Sequence, residues 1–324
     1  MPLPQRSAHL PPRVDDTTQV IGSGHPNRPG PIARRWRRFD VLPYALVTPV
    51  AIFIIGLACV PAVFTIVQSF FNVNALDPPT RFNGFNNFVA IFANHAVVDA
   101  MGNTAFYVVV GVIVSTVLGI AFAVLLQQPF RGRGVIIAIL ILPWALPGVV
   151  EGVLWQGIFD PNAGLINSLI STLQLGDGQG VLVGQNRLLT LALIELVQVW
   201  QMTPLSTLLI FASLQLVPNE LYEAATVDGA GAWRSFWSVT LPLARAGVAV
   251  AMVESLVATL NIFDQPYVLT GASSIGASLT QQTYYVTFQN LNFGQGYALS
   301  LLIAVATVLA SLVIVRFVYR KVDL

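Results

Sequence analysis

The sequence is poor in charged residues. Asp, Glu, Lys and Arg together make up 10% of its 324 residues, whereas soluble domains carry about 25%. Acidic and basic residues nearly balance, so the net charge is only +1. Such a chain lacks the basic surface that binding to a polyanion requires, and its composition places it in a lipid bilayer.

Cysteine, lysine and histidine are also scarce. The single cysteine, Cys59, excludes an internal disulfide and a thiolate metal site, and we expect it only to pack. A P-loop needs a Gly-Lys pair, but the only lysine, Lys321, follows Arg320, so the chain has no Walker A motif. Neither GxSxG nor HExxH occurs. The sequence therefore predicts no enzyme, no metal site and no cofactor bound by this chain.

Apolar residues, in contrast, make up 55% of the chain, and the mean hydropathy is +0.71. Six segments reach the ~20 residues needed to cross a bilayer. They run from about Leu46 to Phe70, Thr104 to Leu126, Val135 to Ile158, Leu188 to Leu209, Ala246 to Val268 and Tyr297 to Val318. Pro143 and Pro147 should kink the third span and Pro204 the fourth, while Pro266 should end the fifth. The pattern predicts an all-α membrane protein with six transmembrane helices.

The basic residues indicate the orientation. One side of the predicted bundle holds Arg34 to Arg38, Arg131, Arg133, Arg234, Arg245, Arg316, Arg320 and Lys321, and the other side only Arg81 and Arg187. The positive-inside rule then places both termini in the cytoplasm. Residues 1–38 contain seven prolines and are expected to form a disordered cytoplasmic tail, followed by a six-span domain over 39–324.

Two polar external loops, residues 72–103 and 160–187, are predicted to carry short helices at Phe85–Phe92 and Leu165–Leu173. They either form a face that receives an external partner or are plain solvated connectors.

The cytoplasmic stretch 219–242 differs from its apolar surroundings. Asn219 can cap a helix whose start is favoured by acidic residues, and Asp228 with Gly229 should end it. Gly229 can take the left-handed conformation, so that a second helix sets off over Ala230–Val239 and closes at Pro242. The stretch predicts a helix-turn-helix knob.

The residue spacing of this knob resembles that of the EAA loop of permease subunits of binding-protein-dependent ABC importers. The matching residues are Glu223-Ala224-Ala225, then Gly229 after three residues, Val239 after nine more, and Leu241-Pro242 after one more. Three further phrases, Leu142 to Pro147, Leu216 to Glu220 and Phe263 to Gly271, are similar to those of carbohydrate permeases of the maltose and multiple-sugar group. The last is typical of the first-permease type. That type usually continues with a glycine-rich turn ending in proline, where this chain has Gly271-Ala272-Ser273-Ser274.

The resemblance implies the type I ABC importer permease fold in the bacterial plasma membrane. It also implies a second, similar permease subunit, two copies of a cytoplasmic ATP-binding subunit and an extracytoplasmic solute-binding protein, with ATP bound by the partners. The coupling role implied for the loop falls on Glu223, Ala224, Ala225, Asp228 and Gly229.

Buried polarity suggests a substrate pathway, because ionisable groups within spans cost several kcal/mol unless they face water or partners. On the fifth span Glu254, Asn261, Asp264 and Gln265 fall within an arc of about 100° at helical spacing and form one polar stripe. On the third span Trp144, Glu151 and Trp155 likewise share a face. Tyr267 completes the candidate pathway, whereas Glu195, Gln198 and Trp200 are weaker candidates. Alternatively, these groups only join helices by hydrogen bonds.

The central spans contain four carboxylates and no Arg or Lys, which favours a neutral polyhydroxylated solute such as a di- or oligosaccharide. A choline-bearing glycerophosphodiester or another polyol is the alternative cargo. A secondary transporter using Glu254 or Asp264 as a relay would usually show inverted repeats, which are not evident in the sequence, and would leave the loop around Glu223 unexplained. A membrane scaffold or receptor would not need a kinked, carboxylate-bearing bundle.

Overall fold

The computed structural model describes residues 41–173, 183–271 and 273–318. The predicted tail over residues 1–38 lies outside these ranges, as do Arg320 and Lys321. The chain divides into two compact units, residues 1–53 and 54–324; in the first, the described part is the beginning of one helix.

Most of the described residues lie in helices. In chain order the elements are α1 (Val41–Gln68), β1 (Phe71–Asn72), β2 (Arg81–Phe82), α2 (Asn86–Ala93), α3 (His95–Gln127), α4 (Arg133–Ala145), α5 (Gly148–Ile158), α6 (Leu165–Thr172), α7 (Arg187–Leu214), α8 (Asn219–Val227), α9 (Ala232–Ser235), the π-helical turn π1 (Phe236–Thr240), α10 (Leu241–Leu243), α11 (Arg245–Leu260), α12 (Asp264–Thr270), α13 (Leu279–Tyr284), the π-helical turn π2 (Tyr285–Gln289) and α14 (Phe293–Val318). Within the described residues, five segments are long and apolar enough to span a membrane, and α4 with α5 makes a sixth if the bent pair is one span. The predicted all-α, six-span fold class is confirmed.

The core of the bundle is the packing of α3, α7 and α11. Ser115 Oγ donates to Ser255 Oγ at 3.0 Å, and Ser206 Oγ lies 3.1 Å from the same oxygen. A Cβ at Gly119 would lie 3.1 Å from Ser206 Cβ. Because lipid offers no hydrophobic drive between helices, close approach of small residues and interhelical hydrogen bonds hold such bundles together.

The ends of these helices fix their relative directions. At the start of α7, Arg187 Nη2 donates to Oδ1 of Asn103 in the early part of α3 at 2.8 Å. At the opposite end, Leu126 of α3 and Leu214 of α7 share one cluster with Val248 near the start of α11. Helices α3 and α7 therefore run parallel, and α11 returns antiparallel to them.

The third span is broken rather than kinked. Helices α4 and α5 meet at 99°, and the break lies at Leu146 and Pro147, which have extended backbones with ψ of 138° and 135°. A residue before proline is pushed out of the α region, which explains the extended Leu146. Pro143 lies inside α4 near its end. The bend is therefore located at Pro147 and not at Pro143.

The fifth span is interrupted before the point that the sequence suggested. Helix α11 ends at Leu260, and a non-helical step over residues 261–263 precedes α12. Pro266 is the third residue of α12 and is buried. The prediction that Pro266 ends this span is wrong, because proline is tolerated in the first turn of a helix, where its missing N–H has no intrahelical partner.

The uncharged segment between the last two spans folds back against the core. Tyr107 Oη donates to the carbonyl of Gly276 at 2.7 Å, and Asn103 Nδ2 donates to that of Ala277 at 2.9 Å. The N–H of Leu279 donates to Thr104 Oγ1 at 2.8 Å. These three bonds pair three buried side chains of α3. This segment therefore packs as part of the bundle before α13 begins.

The predicted external helices are present as α2 and α6. Near α2, Asn87 Nδ2 donates to the carbonyls of Ser69 and Phe71, both at 2.8 Å, and so holds the strand β1 beside the helix. Before α6, Asp160 Oδ1 accepts the N–H groups of Asn162 and Ala163. These two bonds favour the ionised carboxyl and hold the pKa of Asp160 below its ordinary value.

Candidate functional site

The predicted coupling loop, residues 219–242 and called the coupling loop below, presents its first helix to solvent. No residue of α8 is buried, and both Glu223 and Asp228 are exposed. Gly229 has φ +77° with open space around its Cα, so the predicted left-handed turn is confirmed. The N–H of Ala230 closes the helix end by donating to the Ala225 carbonyl at 2.9 Å.

Two details of this loop differ from the sequence prediction. Pro218, not Asn219, occupies the position before α8, and no side chain caps the helix. The second helix begins at Ala232 and continues through π1 into α10, where Pro242 is the second residue. Because proline fits a first helical turn, Pro242 does not close the knob.

Tyr222 joins the coupling loop to the bundle, which the sequence reasoning missed. Its hydroxyl accepts from Gln127 Nε2 at the end of α3 at 3.3 Å and lies 3.3 Å from Thr240 Oγ1 in π1. A hydroxyl-bearing ring within an otherwise exposed helix is a usable sequence signal, because such groups seek a partner when partly buried. The contact connects α8 mechanically to the core.

A buried polar group joins the broken third and fifth spans. Gln265 Nε2 donates to Glu151 Oε2 and to Gln201 Oε1, each at 3.2 Å. Glu151 is fully buried and Gln265 is 4% exposed. Asp264 packs on Gly148, so closely that a Cβ there would lie 3.0 Å from the Asp264 carboxyl carbon. We name Glu151, Gln201, Asp264 and Gln265 the pathway cluster.

The predicted polar stripe on the fifth span is only partly present. The break after Leu260 separates Glu254 from Asp264 and Gln265, so the four groups do not lie on one continuous helix. Asn261 is exposed, and its side-chain amide donates to the carbonyl of Val257 at 2.7 Å. The prediction of a continuous stripe is wrong, because the helix on which it was drawn is interrupted.

The shared face on the third span is also divided. Trp144 lies on α4 and is 50% exposed, whereas Glu151 and Trp155 lie on α5 across the 99° bend. Trp155 instead makes an edge contact with Trp200 of α7, with ring centroids 5.5 Å apart. Tyr267 stacks on Phe263 at 5.1 Å with an interplanar angle of 17°.

The remaining intramembrane acids, Glu195 and Glu254, make no described hydrogen bond to the pathway cluster. Glu195 is 2% exposed and lies against Gly111 of α3. Neither of its oxygens, nor Oε2 of Glu254, has a hydrogen-bond partner among the described residues. Gln198 donates to the sulfur of Met202 at 3.0 Å. Within residues 41–173, 183–271 and 273–318, no three His, Cys, Asp or Glu side chains are grouped so as to hold a metal ion.

Gln201 is the pathway-cluster member that the sequence did not single out. It lies on α7, and its side chain accepts a hydrogen bond from Gln265 of α12. This contact between distant parts of the chain exists only in the folded bundle. An isolated glutamine in an apolar helix could have raised the possibility, since intramembrane amides hydrogen-bond across helices, but its partner could not be identified.

Comparison with known proteins identifies the family. The profile of the family described as "Binding-protein-dependent transport system inner membrane component" matches residues 115–323. The trehalose/maltose transport system permease protein MalF of Thermococcus litoralis is 30% identical over 262 residues, covering 81% of this chain and 88% of the relative. The trehalose transport system permease protein SugA of Mycobacterium tuberculosis is 30% identical over 263 residues, covering 81% and 83%.

The fold is also found in a solved structure. A chain from the crystal structure of a bacterial ABC transporter involved in the import of the acidic polysaccharide alginate superposes with a TM-score of 0.74 at 21% identity, covering 88% of this chain and 97% of that one. The resemblance and the absence of enzymatic function predicted from the sequence are thus confirmed. The chain belongs to the binding-protein-dependent transport system inner membrane component family, and it is a multi-pass permease subunit of the plasma membrane.

Proposed function

We propose that this chain carries a neutral di- or oligosaccharide across the membrane as one half of an ATP-driven importer. The other half would be a second, similar permease subunit, and an external binding protein would deliver the sugar. Two relatives named for trehalose or maltose transport support a sugar as the cargo. A related solved complex includes an alginate pentasaccharide-bound periplasmic protein, which supports the external partner.

The pathway cluster carries the proposal for a neutral solute. Gln201 and Gln265 supply amide donors and acceptors, and Glu151 supplies a buried carboxyl group beside them. Sugar hydroxyls donate and accept in the same way, so they can replace the bonds among these side chains without leaving a buried polar group unpaired. An anionic solute would instead meet Glu151 and Asp264, with no Arg or Lys in the central spans.

Coupling to ATP hydrolysis is assigned to the exposed face of α8. Glu223, Ala224 and Asp228 are exposed and Ala225 is half-buried, so this surface is available to a partner. Two ATP-binding subunits would dock against the loops of the two permeases, as the family resemblance implies. The arginines at the same ends of the helices, Arg133 at the start of α4 and Arg245 at the start of α11, support a cytoplasmic location for this side.

Uptake by the whole transporter in proteoliposomes tests the cargo. The assay compares radiolabelled trehalose and maltose with glucose 1-phosphate and glycerophosphocholine, with the binding protein present. We expect saccharide uptake that requires ATP, and a loss of roughly tenfold in Gln265→Leu, since about 1.4 kcal/mol corresponds to a factor of ten. Gln156→Leu is the control: it removes an exposed amide on α5 that donates to the carbonyl of Val268 in α12 at 3.3 Å, so normal transport in this variant shows that an exposed bond between the same two helices does not account for the loss.

Three outcomes would contradict the proposal. Preferred uptake of glucose 1-phosphate would exclude a neutral cargo, and preferred uptake of glycerophosphocholine would favour the zwitterionic alternative. Uptake that collapses with a protonophore while ATP is present would indicate a secondary transporter.

A further inference from the structure

Six aromatic rings contact one another in a continuous row. They belong neither to the pathway cluster nor to the coupling loop. They belong to Phe263, Tyr267, Tyr284, Tyr285, Phe288 and Phe293, which we name the aromatic ladder. Ring centroids are 5.1 Å apart between Phe263 and Tyr267, 5.9 Å between Tyr267 and Tyr284, 5.4 Å between Tyr284 and Phe288, and 6.2 Å between Phe288 and Phe293. Each step is within the ~4.5–7 Å of direct ring contact.

The ladder leads from the pathway cluster to the loops at the far end of the bundle from the coupling loop. Phe263 directly precedes Asp264, at the break between α11 and α12. Strands β1 and β2 pair antiparallel as a hairpin, with Phe71 opposite Phe82. Phe293 lies beside this hairpin, because the N–H of Gly294 donates to the carbonyl of Val73, directly after β1, at 3.0 Å. The rings therefore connect the interior of the fifth span with the surface predicted to face outside.

Two rings of the ladder are exposed, and a third is held by its hydroxyl group. Tyr267 is 37% exposed and Phe288 is 60% exposed, whereas Tyr107 in the core is fully buried. Tyr285 Oη donates to the carbonyl of Gly271 at 2.7 Å, and Gln281 Nε2 donates to the same oxygen at 2.8 Å. The bond fixes the Tyr285 ring before any ligand arrives, which lowers the entropic cost of binding at that ring.

The chemistry of the ladder fits a neutral sugar. No Asp, Glu, Lys, Arg or His occurs between Asp264 and Arg316, so an ion moving along the ladder would lose water without gaining a countercharge. A pyranose has C–H-rich faces that lie flat on aromatic rings and hydroxyls at its rim. Tyrosine hydroxyls and the exposed amides of Gln289 and Asn290 supply rim partners.

We propose that the aromatic ladder is a sugar-binding track along which a neutral saccharide moves from the outer surface to the pathway cluster. Sequential contacts of similar strength would allow movement, because no single position holds the sugar much more tightly than the next. The inference rests on the proposed function, since it takes the cargo to be a saccharide and the hairpin side to be external.

Replacing the same ring by leucine or by another aromatic residue distinguishes ring stacking on the sugar from nonspecific apolar contact. In the whole transporter, Phe288→Leu and Tyr284→Leu should lower the uptake of radiolabelled trehalose and maltose roughly tenfold, while Phe288→Tyr and Tyr284→Phe should retain it. ATP hydrolysis stimulated by the binding protein should persist in all four variants. Phe92→Leu removes a ring of 58% exposure on α2 and serves as the matched control.

Normal sugar uptake in both leucine variants, or equal losses in the leucine and aromatic replacements, would overturn the track. A second measurement uses Phe288→Cys in a Cys59→Ala background. Labelling by a neutral, impermeant maleimide should slow when maltose and its binding protein are added, and unchanged labelling would also contradict the track. If the parent transporter prefers glucose 1-phosphate or glycerophosphocholine, the proposed function fails; if it imports trehalose or maltose and the leucine variants match it, only the track fails.

Discussion

The hydroxyl groups of Tyr222 and Thr240 lie 3.3 Å apart and connect the two halves of the coupling loop. Gln127 Nε2, at the end of α3, donates to the same tyrosine oxygen at 3.3 Å. Tyr222 directly precedes Glu223, the first residue of the predicted docking surface. A displacement of α8 would therefore act directly on α3 and on π1 through these two contacts of the Tyr222 hydroxyl.

Tyr222→Phe should weaken coupling while leaving assembly intact. Removing one hydroxyl costs roughly 1 kcal/mol per hydrogen bond, so we expect uptake to fall about fivefold and the ratio of ATP hydrolysed to sugar imported to rise. Both quantities are measured in parallel in proteoliposomes.

Thr226→Val is the control for this experiment. It also removes a hydroxyl from α8, but that hydroxyl donates only to the carbonyl of Tyr222 within the helix. An unchanged ATP-to-sugar ratio in Tyr222→Phe, or an equal change in Thr226→Val, would show that the Tyr222 contact does not transmit coupling.

Gly229 and Gly231 provide a matched pair within the turn of the coupling loop. Both have open space where a Cβ would stand, but Gly229 has φ +77° whereas Gly231 has φ −70°. Gly229→Val should therefore abolish uptake through backbone strain, and Gly229→Ala should reduce it, since an L-residue in this region costs about 1 kcal/mol or more. Gly231→Ala should transport normally. Equal behaviour of Gly229→Ala and Gly231→Ala would refute the role of the left-handed turn.

The sequence predicted the spans and the turn at Gly229 because both depend on local properties. Hydropathy over ~20 residues reports bilayer crossing, and a glycine after a short helix reports a left-handed end. Pro147 was a usable signal for a bend but not for its size of 99°. That angle depends on how α5 packs against its neighbours.

The pathway cluster could be predicted only in part. Glu151 and Gln265 stood out as polar groups in apolar spans, but their contact at 3.2 Å joins residues 114 positions apart. The stripe failed for a related reason. A periodic pattern assumes a continuous helix, and the step over residues 261–263 between α11 and α12 interrupts that period.

The orientation of the bundle is testable by cysteine labelling. In a Cys59→Ala background, a cysteine at Ser235 in α9 should be shielded from an impermeant thiol reagent in intact cells, because the arginine-rich ends are predicted to be cytoplasmic. A cysteine at Ala93, an exposed position at the end of α2, should react. Permeabilised cells provide the control, since both positions should then be labelled. Labelling of Ser235→Cys in intact cells would reverse the orientation and remove the proposed docking of ATP-binding subunits.

Two glycines of α5 test whether close packing of the broken spans matters for transport. A Cβ at Gly148 would collide with the Asp264 carboxylate, whereas Gly157, on the same helix, has open space around it. Gly148→Ala must therefore separate α5 from α12 or displace Asp264, and overpacking of this kind costs about 1 to 3 kcal/mol. We expect a lower melting temperature in detergent and uptake reduced roughly tenfold. Gly157→Ala should leave both unchanged or raise stability slightly, because alanine has the higher helix propensity. If Gly148→Ala matched Gly157→Ala in stability and uptake, the contact between Gly148 and Asp264 would carry no weight, and Asp264 would lose its place in the pathway cluster.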